Sequence, residues 1–495
     1  MTDKATIEKP TNSCTEISAT KRPVNIPQNS DIESVKLESS SLPDSSQTPD
    51  NEPSDEIYNC VSSSRKRNIV ALLSFCSFLT TISSTSILSA TPEVASTYNA
   101  TNSIIDLSNG LYLLFSGLSP CLWGPLSQVY GRRLICITLT LFFTAFSLGT
   151  ALAPNISSFF IFRILTACEG TPMLIIGSAC ISDIYRPTER ATAIGWFFSG
   201  TLIGPALGPF IGGVVVTYTS WRVIFYLQAA LAGVALIGTI LVLPETIHRK
   251  KSLDLANLPL REKARILFVL TNPWRVIKLF RYPNLLLVGL ATSSLMWNMY
   301  SLFTPIRDVL NPRFNLTTPI LSGLFYLAPG CGYIFGTFFG GRWADHITKR
   351  WIQKRGHRIP EDRLRSHLPF MGVIIPICML LYGFSIQYRF GGIALPVIAM
   401  FVQGVAQLFC FPSLNTYCLD VIQDRAAEVI AGNYLIRFLF AAIGSAVVLP
   451  AVEEIGVGWF SCISAGFLVL STLGTASVVR WGKGWREKIN ENERK

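Results

Sequence analysis

The stretch WGPLSQVYGRR, residues 123–133, joins two apolar runs through two glycines, a proline and two arginines. The run before it covers about 104–126, and the next run begins at 134. About 20 apolar residues are enough to cross a hydrocarbon core about 30 Å thick. A short basic turn between two such runs indicates two membrane helices joined by a loop.

Apolar runs of this length recur along the chain. Of its 495 residues, 49% are hydrophobic and 15% charged, whereas soluble domains usually carry about 25% charge. The longest interruption, about 244–283, falls between the sixth and seventh runs. We therefore predict an all-α integral membrane protein whose transmembrane helices form two six-helix bundles. The twelve predicted spans are 69–91, 104–126, 134–153, 158–182, 191–214, 221–243, 284–306, 319–341, 368–388, 392–416, 427–450 and 457–479.

The Lys and Arg residues give the orientation. With the N-terminus inside, the inner segments flanking the spans carry 31 of them and the outer loops carry 4, so both termini are predicted to be cytoplasmic. Two sequons, at Asn99 and Asn315, would face outside and are candidate glycosylation sites. The predicted layout is a disordered cytoplasmic tail, rich in Ser, Thr, Pro, Asp and Glu, an N-terminal bundle, a cytoplasmic central loop, a C-terminal bundle and a cytoplasmic tail: 1–68, 69–243, 244–283, 284–480 and 481–495.

Several other classes of function are disfavoured. The net charge of +11 could indicate nucleic acid, but membrane topology explains the basic loops, so no nucleic-acid partner is expected. The cysteines form no C-x-x-C pair and look like small buried hydrophobes. We expect no metal site and no cofactor. Without a Gly-rich phosphate loop or a nucleophile and base at membrane depth, we predict neither an ATP-driven pump nor an enzyme. The histidines look like solvated loop residues: His248, His346, His357 and His367.

The opening motif has a counterpart in the second half. Gly124 and Gln128, followed by Arg132 and Arg133, come after span two, with Gly131 at the expected turn. After span eight come Gly341, Asp345, Lys349 and Arg350. Matching motifs in register with the helix count indicate an internal repeat, as in many transporters.

Span five carries a glycine every fourth residue, which forms a groove along one side of a helix where a neighbour can approach closely. Two prolines remove backbone donors and bend the helix. The alternatives are ordinary small-residue packing and a tight interface that seals a cavity against proton leak. The residues concerned are Gly200, Gly204, Pro205, Gly208, Pro209, Gly212 and Gly213.

Four motifs resemble the major facilitator superfamily, and within it the fungal twelve-span drug:proton antiporters of the quinidine-resistance and dityrosine-exporter group. They are residues 124–133, residues 200–213 followed by Trp221 and Arg222, Arg163 in span four, and residues 243–246, LPET. The resemblance implies alternating access, in which inward proton movement drives export of drugs, weak acids, polyamines or cell-wall precursors.

The resemblance also implies that the loop after span two is a gating latch. Its carboxylate would pair with an arginine and face a helix N-terminus of the other bundle, where negative charge is favourable. Gln128 stands at that position here, while Asp345 keeps the carboxylate in the second half. We therefore predict a weaker N-terminal latch, with Asp345 carrying more of the gating. A lipid-facing anchor is the alternative.

Charged residues inside spans are costly and usually functional. Glu169, in the middle of span four, is a candidate proton carrier, and a structural carboxylate is the alternative. Arg163 lies six residues earlier, about 9 Å along the axis and about 120° around the helix, so we expect it to position the proton site rather than pair with Glu169. Arg437 in span eleven needs a counter-charge, a cluster of backbone carbonyls or an anionic substrate, and Glu169 across the cavity is a candidate for the counter-charge.

Sparse polar groups in an apolar pocket suit amphiphilic ligands. Gln403 and Gln407 share one face of span ten because they lie four residues apart. Helix packing is the alternative for each cavity candidate, namely Gln403, Gln407, Trp297, Asn298, Tyr300, Ser77, Thr81 and Ser84.

The function predicted from the sequence is a proton-coupled exporter, driven by the proton gradient, in the plasma membrane or an internal membrane. Its partners would be the lipid bilayer, protons and a small-molecule substrate, and we expect a monomer. A proton symporter or facilitator that takes up a nutrient is the first alternative. A transport-inactive sensor or assembly protein is the second, and Gln128 favours it.

Overall fold

Twelve long helices make up most of the described chain. The computed structural model describes residues 62–247, 259, 261, 262, 268, 271–316, 318–357, 359–421 and 426–494. Within these residues the helices are α1 (Ser63–Thr85), α2 (Asn102–Tyr130), α3 (Arg132–Leu152), α4 (Ile156–Ile184), α5 (Pro187–Tyr218), α6 (Arg222–Val242), α7 (Pro283–Phe303), α8 (Pro319–Arg355), α9 (Ile375–Tyr388), α10 (Ala394–Val421), α11 (Ala426–Ile455) and α12 (Val457–Arg494).

Eleven of these helices, counted over the described residues, are long and apolar enough to cross a membrane by length and composition. The remaining one is α2, which has 29 residues and contains Pro120 and Pro125 as well as Asp106 and Asn109. Its polar residues lower its mean hydropathy, but it packs against α4 and α11 as part of the same helical bundle. The predicted twelve-helix fold is confirmed.

Short elements lie at the helix ends and extend several spans. A 3₁₀ turn (Ser86–Ser89) and a short helix (Thr91–Thr97) follow α1, while a helix (Pro273–Ile277) and a 3₁₀ turn (Lys278–Arg281) precede α7. Wide π-type turns continue α7 and begin α9. The π-type turns are Ile306–Leu310 and Phe370–Ile374. A single α-helical turn, Asn311–Arg313, follows the first, and a 3₁₀ helix, Pro360–Ser366, precedes the second.

Local capping explains where several helices begin and end. The side chain of Ser62 accepts a hydrogen bond from the Arg65 backbone N–H at 3.4 Å, which caps α1, and Asn155 caps α4 through Ser158 N–H at 2.8 Å. Both satisfy backbone donors that the first helical turn leaves free. Gly131 separates α2 from α3 with φ 101°, a conformation that glycine adopts readily, so the predicted turn there is confirmed.

Helices extend beyond the predicted spans at three places. Helix α1 begins at Ser63, inside the tail predicted to end at 68, and α12 continues to Arg494 through the predicted tail 481–495. Helix α8 runs to Arg355, so the motif at 341–350 lies on a helix rather than in a loop. An apolar run marks only the part of a helix that lies in the membrane. The helical backbone hydrogen bonds can continue past that part into water, so the helix is longer than the run. Residues 1–61 of the predicted tail, and most of 248–270, lie outside the described residues.

The groove predicted on α5 holds α1. A side-chain carbon added at Gly200 would overlap Ser74, and one added at Gly204 would overlap Thr81. Gly208 and Gly212 face Thr85 and Ser86–Ser89 in the same way. Gly213 instead approaches Pro319 and Gly323 of α8, where the two halves meet. Hydroxyl-bearing residues of α1 and of the 3₁₀ turn that follows it therefore pack into the groove, through both their side chains and their backbone.

Candidate transport pathway

At the outer end, polar side chains join the two halves. The Arg307 guanidinium pairs with the Glu93 carboxylate, and Asn102 donates to Asp308 at 2.6 Å. We call these four residues the outer seal. Deeper in the interface Asn109 of α2 donates to the Ser445 hydroxyl of α11 at 3.1 Å. The structure is therefore closed toward the outside.

At the cytoplasmic end of the N-terminal half, the bonds described for Arg132 and Arg133 stay within that half. Arg132 pairs with Asp183 of α4 at 3.4 Å and donates to the Ser127 hydroxyl at 2.6 Å. The Glu245 carboxylate accepts from the Arg132 backbone N–H at 2.8 Å, at the start of α3, where negative charge is stabilised. Arg133 donates to the Ile240 carbonyl at 2.8 Å.

The equivalent motif on α8 also bonds within its own half. Asp345 pairs with Arg363 at 3.2 Å, and the Asp345 side chain is 62% exposed. Lys349 and Arg350 are exposed. Among the described contacts, Asp345 therefore pairs with an arginine of its own half, and Arg132 bonds to Asp183 and Glu245 of its own half.

The glycines that begin the two motifs have open space beside them. Nothing lies within 4 Å of a side-chain carbon added at Gly124 or Gly341. Gln128 is half-buried on the last turns of α2. Between the halves on this side, Cys121 packs against Val276 and Ala431.

Glu169 lies inside the N-terminal half rather than between the halves. It is 5% exposed and faces a cavity of about 20 Å³, room for about one water molecule. Its Oε2 has no hydrogen-bond partner, and none of the ion pairs among the described residues includes Glu169. The residues lining this cavity with it are Cys76, Leu79, Thr80, Leu139, Thr140, Phe143, Met173, Ala232 and Ala235.

Arg163 joins three helices near the interface. Its guanidinium donates to the Ser83 carbonyl at 3.1 Å and to the Asn109 side chain at 3.0 Å, and it stacks on the Tyr112 ring at 4.4 Å. Arg163 is 1% exposed. As expected from the helix geometry, it does not pair with Glu169.

Arg437 has a different environment. It lies over the ring of Phe411 at 4.6 Å and near that of Tyr434 at 5.4 Å, and its buried Nε has no hydrogen-bond acceptor. No ion pair joins it to Glu169 in the described chain, so that predicted pair is wrong: Glu169 faces the interior of the opposite half. Tyr300 of α7 lies within electrostatic range of both Arg163 and Arg437.

Buried amides line the seam between α7 and α10. Asn298 and Gln403 are hydrogen-bonded to each other, and Gln407 donates to the Leu295 carbonyl at 3.3 Å. Asn298 Nδ2, Gln403 Oε1 and Gln407 Oε1 nevertheless remain without partners. Gln407 lies one turn from Phe411 on α10, so the amides and Arg437 belong to one polar region.

Other predicted cavity residues pack between helices. Trp297 donates to Ser464 of α12 at 3.1 Å, and Thr81 fills the α5 groove at Gly204. Ser77 is fully buried and donates to the carbonyl four residues earlier at 3.0 Å. Of the three hydroxyl residues predicted on span one, Ser84 lies beside Tyr300 at the interface. Their sequence spacing did not distinguish faces toward the cavity from faces toward neighbouring helices.

Sequence reasoning missed Asp106. It is 2% exposed on α2, its Oδ2 has no partner, and Asp308 is its charged neighbour. Its position inside the predicted span 104–126 was the available signal.

The prediction that His367 is a solvated loop residue was wrong. His367 is fully buried and hydrogen-bonded to Thr475 at 3.0 Å, because Pro360–Ser366 packs back against α8, α10 and α12.

Both candidate glycosylation asparagines are exposed and adopt the left-handed backbone of tight turns, with φ 52° at Asn99 and 55° at Asn315. Thr317, which completes the second sequon, lies outside the described residues.

Within the described residues, no group of three or more His, Cys, Asp or Glu side chains is placed to hold a metal ion.

The sequence model of the Major Facilitator Superfamily matches residues 73–445. The chain belongs to this superfamily. The transporter is 23% identical over 547 aligned residues to the MFS antiporter QDR3 of Candida albicans, covering 85% of this chain and 78% of that protein. It is 28% identical over 420 residues to the efflux pump radE of Floropilus chiversii, covering 81% and 77%.

Among solved structures, the transporter is similar to the human organic anion transporter MFSD10, with a TM-score of 0.63 at 14% identity over 83% of this chain and 99% of that one. At this identity the likeness shows the fold alone. The transporter is thus a multi-pass membrane protein with the superfamily's twelve helices, and its sequence relatives include fungal antiporters and efflux pumps.

Proposed function

We propose that the transporter is a proton-coupled antiporter that exports small amphiphilic compounds across the plasma membrane by alternating access. The observation that carries the proposal is Glu169, a buried carboxyl with an unpartnered oxygen beside a water-sized cavity. The names of its relatives, an antiporter and an efflux pump, support export.

In this mechanism the proton and the substrate occupy different places. Glu169 faces the interior of the N-terminal half, whereas Tyr300, Gln403 and Arg437 lie in or beside the C-terminal half. Burying an ionised carboxylate among apolar side chains is costly, so Glu169 exchanges its proton when the cavity opens to water. Small molecules enter the interface from the cytoplasm while the outer seal is closed.

Helix α4 connects the two places. It carries Glu169 toward α1, α3 and α6, and Arg163 toward α2 and the interface. Next to Glu169, the Gly170 carbonyl accepts from the Thr80 hydroxyl of α1 at 3.3 Å. A change in proton occupancy that shifts α4 against α1 therefore also moves the Arg163 contacts with Ser83 and Asn109.

The test uses the purified transporter in liposomes with radiolabelled benzoate, spermidine and a lipophilic cation. We expect a proton gradient to drive at least one of them in the direction opposite to the protons. Glu169→Gln should reduce gradient-driven transport at least tenfold but keep substrate exchange without a gradient. The matched control Glu454→Gln changes an exposed carboxyl of α11 and should transport like the wild type.

Three outcomes would overturn the proposal. Gradient-driven transport that survives Glu169→Gln would place the proton elsewhere. Movement of substrate with the protons would favour an uptake symporter. Absence of both transport and exchange for every compound would favour a sensor.

A further inference from the structure

The centre of the interface carries two arginines without a carboxylate partner. Arg163 comes from the N-terminal half and Arg437 from the C-terminal half, and Tyr300 is within electrostatic range of both. None of the ion pairs among described residues includes either arginine. The pathway therefore has an uncompensated positive charge at its middle.

The nearby acids do not neutralise this charge. Glu169 forms no ion pair with either arginine among the described residues, and Asp106 interacts with Asp308 toward the outer end rather than with an arginine. The groups around the arginines are neutral amides, hydroxyls and aromatic rings. A cationic ligand would thus enter a site whose charge has the same sign as its own.

The two arginines differ in what they still need. Arg163 already donates to a carbonyl and an amide oxygen and stacks on Tyr112. Arg437 contacts aromatic faces, has no hydrogen-bond acceptor for its buried Nε, and is half-buried. A guanidinium has five N–H donors in a planar fork, and donors left unpaired in a buried place are costly.

We propose that Arg437 is the anchor for an organic carboxylate, and that the exported compounds are amphiphilic organic anions. This inference rests on the proposed function and names its substrate class. The carboxylate accepts two parallel hydrogen bonds from the guanidinium fork, while Arg163 adds a second positive charge beyond Tyr300. Phe411 and Tyr434 provide the apolar surface for the rest of the molecule.

The buried amides contribute a neutral polar wall. Gln403 Oε1, Gln407 Oε1 and Asn298 Nδ2 have no partners, so they can bond to hydroxyl, amide or carbonyl groups on a ligand. Neutral groups of this kind adapt to varied ligands, whereas the arginines fix the sign of the charge. The site therefore selects for one negative charge and tolerates different apolar bodies.

The test compares three probes that differ in one end group: 4-phenylbutyrate, 4-phenylbutanamide and 4-phenylbutylamine. Equilibrium binding of tritiated 4-phenylbutyrate to the full-length transporter in detergent, with the other two as competitors, needs no proton gradient. We expect the carboxylate to bind at least tenfold more tightly than the amide, and the amine to bind most weakly.

Arg437→Gln should weaken 4-phenylbutyrate binding about ten- to a hundredfold, the range for losing a charged hydrogen-bonding partner, and leave 4-phenylbutanamide binding unchanged. Arg437→Lys keeps the charge but loses the fork, so its preference for the carboxylate should be intermediate. Arg342→Gln, which changes an exposed arginine of α8, is the control. The ratio of the two affinities within one variant does not depend on how much protein is folded.

Equal binding of carboxylate and amine, or an unchanged ratio in Arg437→Gln, would overturn the inference. The proposed function fails separately. Gradient-driven export without charge preference would keep the antiporter and remove the anion site. Charge preference that depends on Arg437, without gradient-driven transport, would keep the anion site and remove the antiporter.

Discussion

The two ends of the interface between the halves are built differently. At the outer end, Glu93 and Asn102 of one half bond to Arg307 and Asp308 of the other. At the cytoplasmic end, the ion pairs described stay within one half, as in Arg132 with Asp183 and Asp345 with Arg363. The polar bonds that close a gate are therefore separate from those that make each half rigid.

This difference separates two roles for charged residues. A bond within one half can persist through the transport cycle, because the half moves as a unit. A bond between the halves must break each time the outer end opens. The ion pairs Arg132–Asp183 and Asp345–Arg363 are of the first kind, and the outer seal is of the second kind.

The largest effect on stability should come from disrupting the packing of helices within one half. Gly204→Ala places a methyl group where the Thr81 side chain lies, and such overpacking typically costs about 1–3 kcal/mol. We expect a lower melting temperature and less folded transporter. Gly195→Ala, on the same helix with nothing within 4 Å of the added carbon, is the matched control. Equal melting temperatures for the two variants would contradict close packing of α1 in the α5 groove at Gly204.

The second prediction breaks the gate and leaves the halves intact. Arg307→Gln removes the ion pair with Glu93, and a loss of about 1 kcal/mol changes a population ratio about fivefold. Spin labels at the exposed positions Asn99 and Asn315 should then report a larger fraction of long distances between the outer connectors. Arg363→Gln, which removes a pair within one half, should leave that distribution unchanged. A shift in both variants would mean that the two ends are not distinct.

A third change weakens a bond within the N-terminal half. Glu245→Ala removes the carboxylate that accepts from the first backbone N–H of α3, and losing a helix cap costs about 0.5–2 kcal/mol. The melting temperature should fall, while the distance between outer labels stays as in the wild type. Glu262→Ala, at an exposed position, provides the comparison. A changed label distance in Glu245→Ala would show that this bond also sets the gate.

The smallest effect is expected on the transport rate, and it compares Asp345 with Gln128, the residues at equivalent positions of the two motifs. We predict from the sequence that Asp345 carries more of the gating than Gln128, because a carboxylate at a helix N-terminus gains about 0.3–1 kcal/mol. Asp345→Asn should therefore slow transport about two- to fivefold without changing the melting temperature, and Gln128→Ala should slow it less. The reverse order would place the latch in the N-terminal half.

The fold was predictable because its main signal is local. Each span is an apolar run, and the orientation follows from counting Lys and Arg beside the runs. Helix ends were less predictable, because the polar end of α8 carries no apolar signal although it is helical to Arg355. For the same reason, the sequence predicts a loop where α7 continues outward through Arg307 and Asp308.

The site was predictable in part. Glu169, Arg163 and Arg437 stand out as charges within apolar runs, but their partners depend on helix rotation, which the sequence does not give. The glycine spacing on α5 predicted a groove but not that α1 fills it. Asp106 lies close to the end of a run, where a charge attracts less notice, and its neighbour Asp308 is about 200 residues away in sequence.

The outer seal has a consequence for how such a transporter diverges. Glu93 lies in the short helix Thr91–Thr97 before α2, and Arg307 and Asp308 lie in the turn Ile306–Leu310 before α8, whereas the arginines and amides at the centre lie deeper in the spans. Substitutions in the connectors can therefore retune how readily the protein opens without altering what it binds. Opening threshold and ligand preference are separate traits, free to change in different lineages at different times.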